Sequence, residues 1–206
     1  MLQTKTVPQN TLRILKKIQA DPKMETFHLV GGTALALYLG HRASMDIDLF
    51  TTESFDAELL NSKLHDTVQF QDAIQKENTL KGFAEGVKVD FLRHPYPWIK
   101  PTVSEDGVSL VSREDIIAMK LNAITISGQR VKDFIDIYFL LNDFSLSQML
   151  GFYKEKYRQK NVFHVIKSLT YFDEIDVSTW PKMILEPKLT LANIKRRILK
   201  AVEREA

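Results

Sequence analysis

The chain has 206 residues, of which 44% are hydrophobic and 26% charged. That balance is ordinary for a globular protein, and it excludes disorder, collagen and a coiled-coil rod as whole-chain readings. Lys and Arg number 28 against 26 Asp and Glu, a net charge of +2, too small for a bulk nucleic-acid coat. The lack of cysteine excludes a disulfide scaffold, a thiolate zinc site, an iron–sulfur cluster and a Cys nucleophile. No run approaches the ~18 apolar residues of a membrane span. The lysine-bearing N-terminus lacks the apolar core of a signal peptide, so a cytoplasmic location is expected.

In chain order, Leu12, Leu15 and Ile18 have helical spacing, and Asp21–Pro22 ends that helix. Phe27–Val30 reads as a short strand, Gly31–Gly32 as a turn, and Thr33–Leu39 as a helix. Met45–Phe50 alternates polar and apolar residues, as a half-buried strand does. Asp56–Leu64 reads as a helix, and Val68–Arg93 as a β-meander ending in the strand Val87–Leu92. His94–Pro101 holds three prolines and reads as an extended crossing, with Tyr96 and Trp98 open to a lid or a packed role. Ser112 caps a helix over Arg113–Ile126, and Gly128 ends it. Lys132–Leu141 is apolar nearly all round, which predicts a buried helix. Ser145–Tyr157, Val162–Leu169 and Leu191–Glu205 are further helices. The layout predicts an α/β core over residues 1–110 and a helical region over 111–206.

The segment Val30–Phe50 carries the most chemistry. Two glycines let a backbone turn sharply and approach a ligand closely. The helix start that follows favours a phosphate, with the Thr33 hydroxyl as a further hydrogen-bond partner. On the returning strand Asp46 and Asp48 share one face, while Ile47 and Leu49 share the other. Two carboxylates on one face repel unless a cation lies between them, and hard oxygen donors suit Mg²⁺. In the strand Val87–Leu92, Lys88 and Asp90 share a face. If that strand lies beside Met45–Phe50, Asp90 completes a three-carboxylate cluster for one or two divalent ions, the arrangement used for in-line phosphoryl displacement.

Gly-Gly-Thr, a gap of twelve residues, Asp-x-Asp and a later strand Asp resemble the signature of the nucleotidyltransferase superfamily that includes DNA polymerase β. The second half narrows the resemblance. Lys120 on its helix, Arg130, and then Lys132-Asp133 with Asp136 look like the AbiEii/AbiGii toxin family of nucleotidyltransferase-like proteins. The resemblance spans about Phe27 to Leu141. It implies a mixed sheet with flanking helices and a C-terminal helical region that closes the nucleotide cleft. It also implies transfer of a nucleoside monophosphate from an NTP to an acceptor hydroxyl, with Mg²⁺ or Mn²⁺.

On this reading Asp46 and Asp48 hold the metal, and Asp90 shares a metal and helps to activate the acceptor. Gly31, Gly32, Thr33, Lys120, Arg130, Lys132 and Asp136 contact the nucleotide, with Lys120 reaching the β- and γ-phosphates. Asp133 orients or deprotonates the acceptor hydroxyl, and Asp136 supports it. An RNA acceptor, tRNA ends in particular, and a cognate antitoxin protein are implied by the resemblance alone. A non-catalytic NTP-binding module and an aminoglycoside-type transferase are the alternatives.

His41 and Arg42 close the first site helix, where a cation is favourable without further function. From Pro181 onward seven basic residues outnumber three acids. That tail is read as a solvated helix face or as a contact for nucleic-acid phosphates.

Overall fold

The computed structural model describes residues 1–205. Its elements are α1 (Gln9–Gln19), β1 (His28–Leu29), α2 (Gly31–Leu39), β2 (Ile47–Thr51), α3 (Ala57–Val68), β3 (Phe70–Lys76), β4 (Thr79–Ala84) and β5 (Val87–Arg93). The chain continues with β6 (Val103–Glu105), β7 (Val108–Leu110), α4 (Arg113–Ile126), α5 (Val131–Leu140), α6 (Leu146–Tyr157), α7 (Phe163–Thr170) and α8 (Leu191–Glu203). This is the mixed α/β fold with flanking helices that the sequence implied.

The seven strands form one sheet in the order β3-β4-β5-β2-β1-β7-β6. Its centre is mixed: β2 pairs parallel with β5 and antiparallel with β1, and β1 pairs parallel with β7. Alternation makes β2 and β5 two-sided. Ile47, Leu49, Val89 and Phe91 are fully buried on one face, which leaves Asp48 and Asp90 on the other. Helix α3 covers the same face as Phe70, Leu80 and Ala84, contributing Leu60, Leu64 and Val68.

The β6–β7 hairpin is absent from the sequence reading. Its turn is Asp106–Gly107, with φ of 54° and 75°. Positive φ at both central residues makes the tight turn whose twist matches a hairpin. Helix α2 starts at Gly31 rather than Thr33, and Gly40 ends it in the left-handed region at φ 73°. Helices α6 and α8 start with reciprocal capping boxes, Ser145 with Gln148 and Thr190 with Asn193.

The proline-rich crossing after β5 is packed. The buried carboxylate of Asp115 accepts from Ile99 N–H at 3.1 Å and from Ser112 Oγ at 2.7 Å. It also takes the buried Lys156 ammonium at 2.7 Å, which sits 4.5 Å from the Trp98 ring centre. No residue of this crossing lines the cavity described next.

Candidate active site

Asp48 on β2 and Asp90 on β5 are direct register partners. Asp46 lies immediately before β2 and is exposed. All three line a cavity of 550 Å³ together with Gly31 and Gly32 from α2. Also facing it are Lys120 from α4, Arg130, and Lys132 and Asp133 from α5. Side chains from both halves of the chain therefore meet in one cleft.

The start of α2 is fitted to the carboxylates. Val30 N–H donates to the Asp48 carbonyl at 2.9 Å. Gly31 has φ +69°, and a Cβ there would lie 2.8 Å from Asp48 Oδ2. Both the backbone conformation and the space demand glycine. A Cβ on Gly32 would lie 2.5 Å from Nη2 of Arg42. The first turn of a helix carries N–H groups without intrahelical partners, and here that turn borders the cavity.

Thr33 differs from its expected place. Its side chain is buried, donates to the Asp46 carbonyl at 2.5 Å and lies 2.8 Å from the Ser44 hydroxyl. The hydroxyl is tied to the Ser44–Asp46 segment instead of facing the cavity.

Asp48 is electrostatically strained. Burial, and then the Asp90 charge, hold Asp48 above the usual carboxylate range. Asp90 Oδ2 has Lys81 Nζ at 3.3 Å and Lys88 Nζ at 3.4 Å, while its Oδ1 is buried without a hydrogen-bond partner. Among the described residues no three acidic or histidine side chains are gathered as a ready-made metal site. The expected three-carboxylate cluster is therefore a registered pair plus an exposed Asp46, because Asp46 precedes the strand and escapes its pairing. An unpartnered buried oxygen beside a second carboxylate fits a hard divalent cation.

The other side of the cavity rests on a buried charge cluster. Lys120 Nζ lies 2.6 Å from Asp133 Oδ1 and 2.6 Å from Asp136 Oδ2. Arg42 grips Asp136 in two-pronged fashion, Nε to Oδ1 at 2.7 Å and Nη2 to Oδ2 at 2.9 Å. His41 Nε2 donates to Asp136 Oδ1 at 2.8 Å. Burial pushes His41 down, so it is neutral, and two carboxylates balance two cations. Burial opposes the charges of Lys120 and Asp136. Their partners outweigh it, holding Lys120 up and Asp136 well below the carboxylate range.

Two expectations change here. Lys120 reaches the cavity, but its ammonium is locked between two carboxylates and is no free phosphate ligand. Asp136 does not line the cavity; it points inward because Arg42 and Lys120 both need a counter-charge away from water. Asp133 does face the cavity, and its Oδ2 has no hydrogen-bond partner, with Arg130 Nε at 3.4 Å.

The accessible cations of the cavity are Arg130, Lys132, Lys81 and Lys88. Lys132 forms no ion pair among the described residues. Lys81 went unrecognised in the sequence, since only the register Lys81↔Asp90 between β4 and β5 places it here. Lys88 was legible from alternation alone. The basic tail is elsewhere: Lys195 sits over Phe172 and Arg197 over Tyr138, and no residue of α8 lines the cavity.

A model of the family described as nucleotidyl transferase AbiEii toxin, type IV toxin–antitoxin system, matches residues 13–204. The chain belongs to that family. Its enzyme class is accordingly nucleotidyltransferase, as the resemblance implied. An uncharacterized protein of Aquifex aeolicus (strain VF5) is 32% identical over 166 residues, covering 78% of this chain and 80% of the relative. The crystal structure of JHP933 from Helicobacter pylori aligns over 96% of this chain and 94% of its own, with TM-score 0.54 and 15% identity. That likeness concerns the fold.

Proposed function

We propose that the protein moves a nucleoside monophosphate from an NTP to a hydroxyl of an RNA acceptor, in a Mg²⁺- or Mn²⁺-dependent reaction, as the toxin of a toxin–antitoxin pair. The registered Asp48–Asp90 pair beside the Gly31–Gly32 helix start carries this reading. The family supports the toxin role and an antitoxin partner.

Asp48 and Asp90, with Asp46, would hold the divalent cation. Bound there, it supplies charge neutralisation for the triphosphate. The start of α2 accommodates phosphate oxygens next to these carboxylates. Arg130 and Lys132 are the accessible cations for the remaining triphosphate charge. The acceptor oxygen forms a bond to the α-phosphorus, the bond to the β-bridging oxygen breaks, and pyrophosphate leaves. Asp90 takes the hydroxyl proton, and the unpartnered Oδ2 of Asp133 orients the acceptor. Positioning and charge stabilisation provide the catalysis.

The cavity's accessible cations face four carboxylates, and a divalent cation on Asp46, Asp48 and Asp90 would tip that balance positive, which favours a polyanionic acceptor over a cationic aminoglycoside. Pyrophosphate release is the test. It should require divalent metal and an RNA fraction, and disappear in Asp90→Asn. Equal release with an aminoglycoside and no RNA would overturn the acceptor assignment.

A further inference from the structure

We propose that the open face of β3, β4 and β5 is a docking platform that delivers single-stranded nucleic acid to Asp90. This deepens the reading above and rests on it.

The register assigns the faces. Gln71↔Phe83↔Lys88, Ile74↔Lys81↔Asp90 and Lys76↔Thr79↔Leu92 run across the three strands. Each row lies on the Asp90 face. The opposite face carries Leu80, Gly82 and Ala84, which are buried beneath α3. The Asp90 face is open. Phe83 is 48% exposed and Ile74 44% exposed, and β3 is an edge strand. Two large apolar side chains on an open sheet face lose burial energy unless something covers them.

Charge identifies what covers them. Lys76, Lys81 and Lys88 stand on this face, and its acids lie at the cavity end, beginning with Asp90. Of the neighbouring acids, Asp72 takes a hydrogen bond from Asn61 of α3, Glu85 pairs with Arg13 of α1, and Glu77 sits in the β3–β4 turn at the far end of the face, accepting from Asn78. An exposed aromatic among lysines on a sheet suits a stacked base with flanking phosphates.

The platform also runs into the cavity. Lys81 and Lys88 belong to both, since each lines the cavity and each lies within 3.4 Å of Asp90 Oδ2. Phe83 pairs with Lys88, and Asp90 is two residues further along β5. That is about 7 Å along the strand and about 5 Å across, a span that one or two nucleotides of an extended strand cover. A base on Phe83 thus presents a nearby hydroxyl to Asp90.

The test uses the full chain and a fluorescein-labelled single-stranded RNA oligonucleotide of mixed sequence, with binding read by fluorescence anisotropy. Phe83→Ala should weaken binding by about tenfold, while Phe83→Trp stays near wild type. Lys76→Glu should weaken binding and reduce the salt slope by about 0.7 or more. Affinity for the NTP, read by thermal shift, should be unchanged in all three. Unchanged RNA affinity in Phe83→Ala and Lys76→Glu would overturn the platform.

Label transfer separates the two readings. If wild type labels RNA, and both variants do so with unchanged KM for RNA, the platform falls and the RNA acceptor stands. If wild type labels only protein or small molecules, the RNA acceptor falls and the platform with it.

Discussion

Asp48 and Asp90 face each other directly across the parallel β2–β5 pair, at the same register position. Two like charges so placed cost the fold stability, and a divalent cation relieves that cost. Asp48→Asn should therefore leave the metal-free protein as stable as wild type, or more stable by about 1 kcal/mol, a shift of about 2–4 °C in Tm. The same variant should lose nucleotide transfer. Thermal melts with and without MgCl₂ check this: Mg²⁺ should raise the Tm of wild type and not that of the variant.

Gly31 holds φ +69° against the Asp48 carboxylate. Gly31→Ala adds about 1–2 kcal/mol of left-handed strain and pushes on Asp48 Oδ2. Transfer activity should fall more than tenfold, a larger effect than the modest loss of stability accounts for. Denaturant melts and a transfer assay on one preparation compare the two.

Asp136, fully buried behind the cavity, pairs with Arg42 and shares Lys120 with Asp133. Arg42→Ala removes the two-pronged partner and leaves the buried Asp136 with only Lys120, itself shared with Asp133, and neutral His41, which should cost about 3 kcal/mol. Arg42→Lys should recover little, because an ammonium cannot reproduce the two-pronged grip. Urea unfolding midpoints measure both.

His94 is packed among Tyr96, Trp98 and Tyr157. Burial and the nearby Lys156 charge lower its pKa from 6.5 to about 4. Between those values the unfolded chain binds the proton and the folded chain does not, so stability falls as pH drops through that window. Buried neutral His41, also lowered, adds a slope of the same sign. Stability measured from pH 7 down to pH 4 should decline, and His94→Phe should flatten part of the decline.

Much of this architecture is legible in the residues. Alternation in Met45–Phe50 and Val87–Leu92 places Asp48 and Asp90 on matching faces, and Ser112 marks the start of α4. The family motifs then locate α5 beside them. Other features depend on partners distant in sequence. Asp106–Gly107 is a strong hairpin signal, but three-residue strands carry too little alternation to announce themselves. The resemblance made Lys120 a phosphate ligand, and the charge cluster that holds it is hidden because neither Asp136 nor Arg42 is near it in sequence. Thr33 looked outward for the same reason: only the fold brings the Asp46 carbonyl to its hydroxyl. Lys81 needs the β4–β5 register.

The most direct measurement supplies the same NTP labelled either at the α- or at the γ-phosphate, with Mg²⁺ and total RNA, to wild type and Asp48→Asn. If the protein transfers a nucleoside monophosphate to RNA, α-label appears on RNA, γ-label leaves as pyrophosphate, and Asp48→Asn transfers neither. Transfer of γ-label, or α-label transfer undiminished in Asp48→Asn, would contradict it.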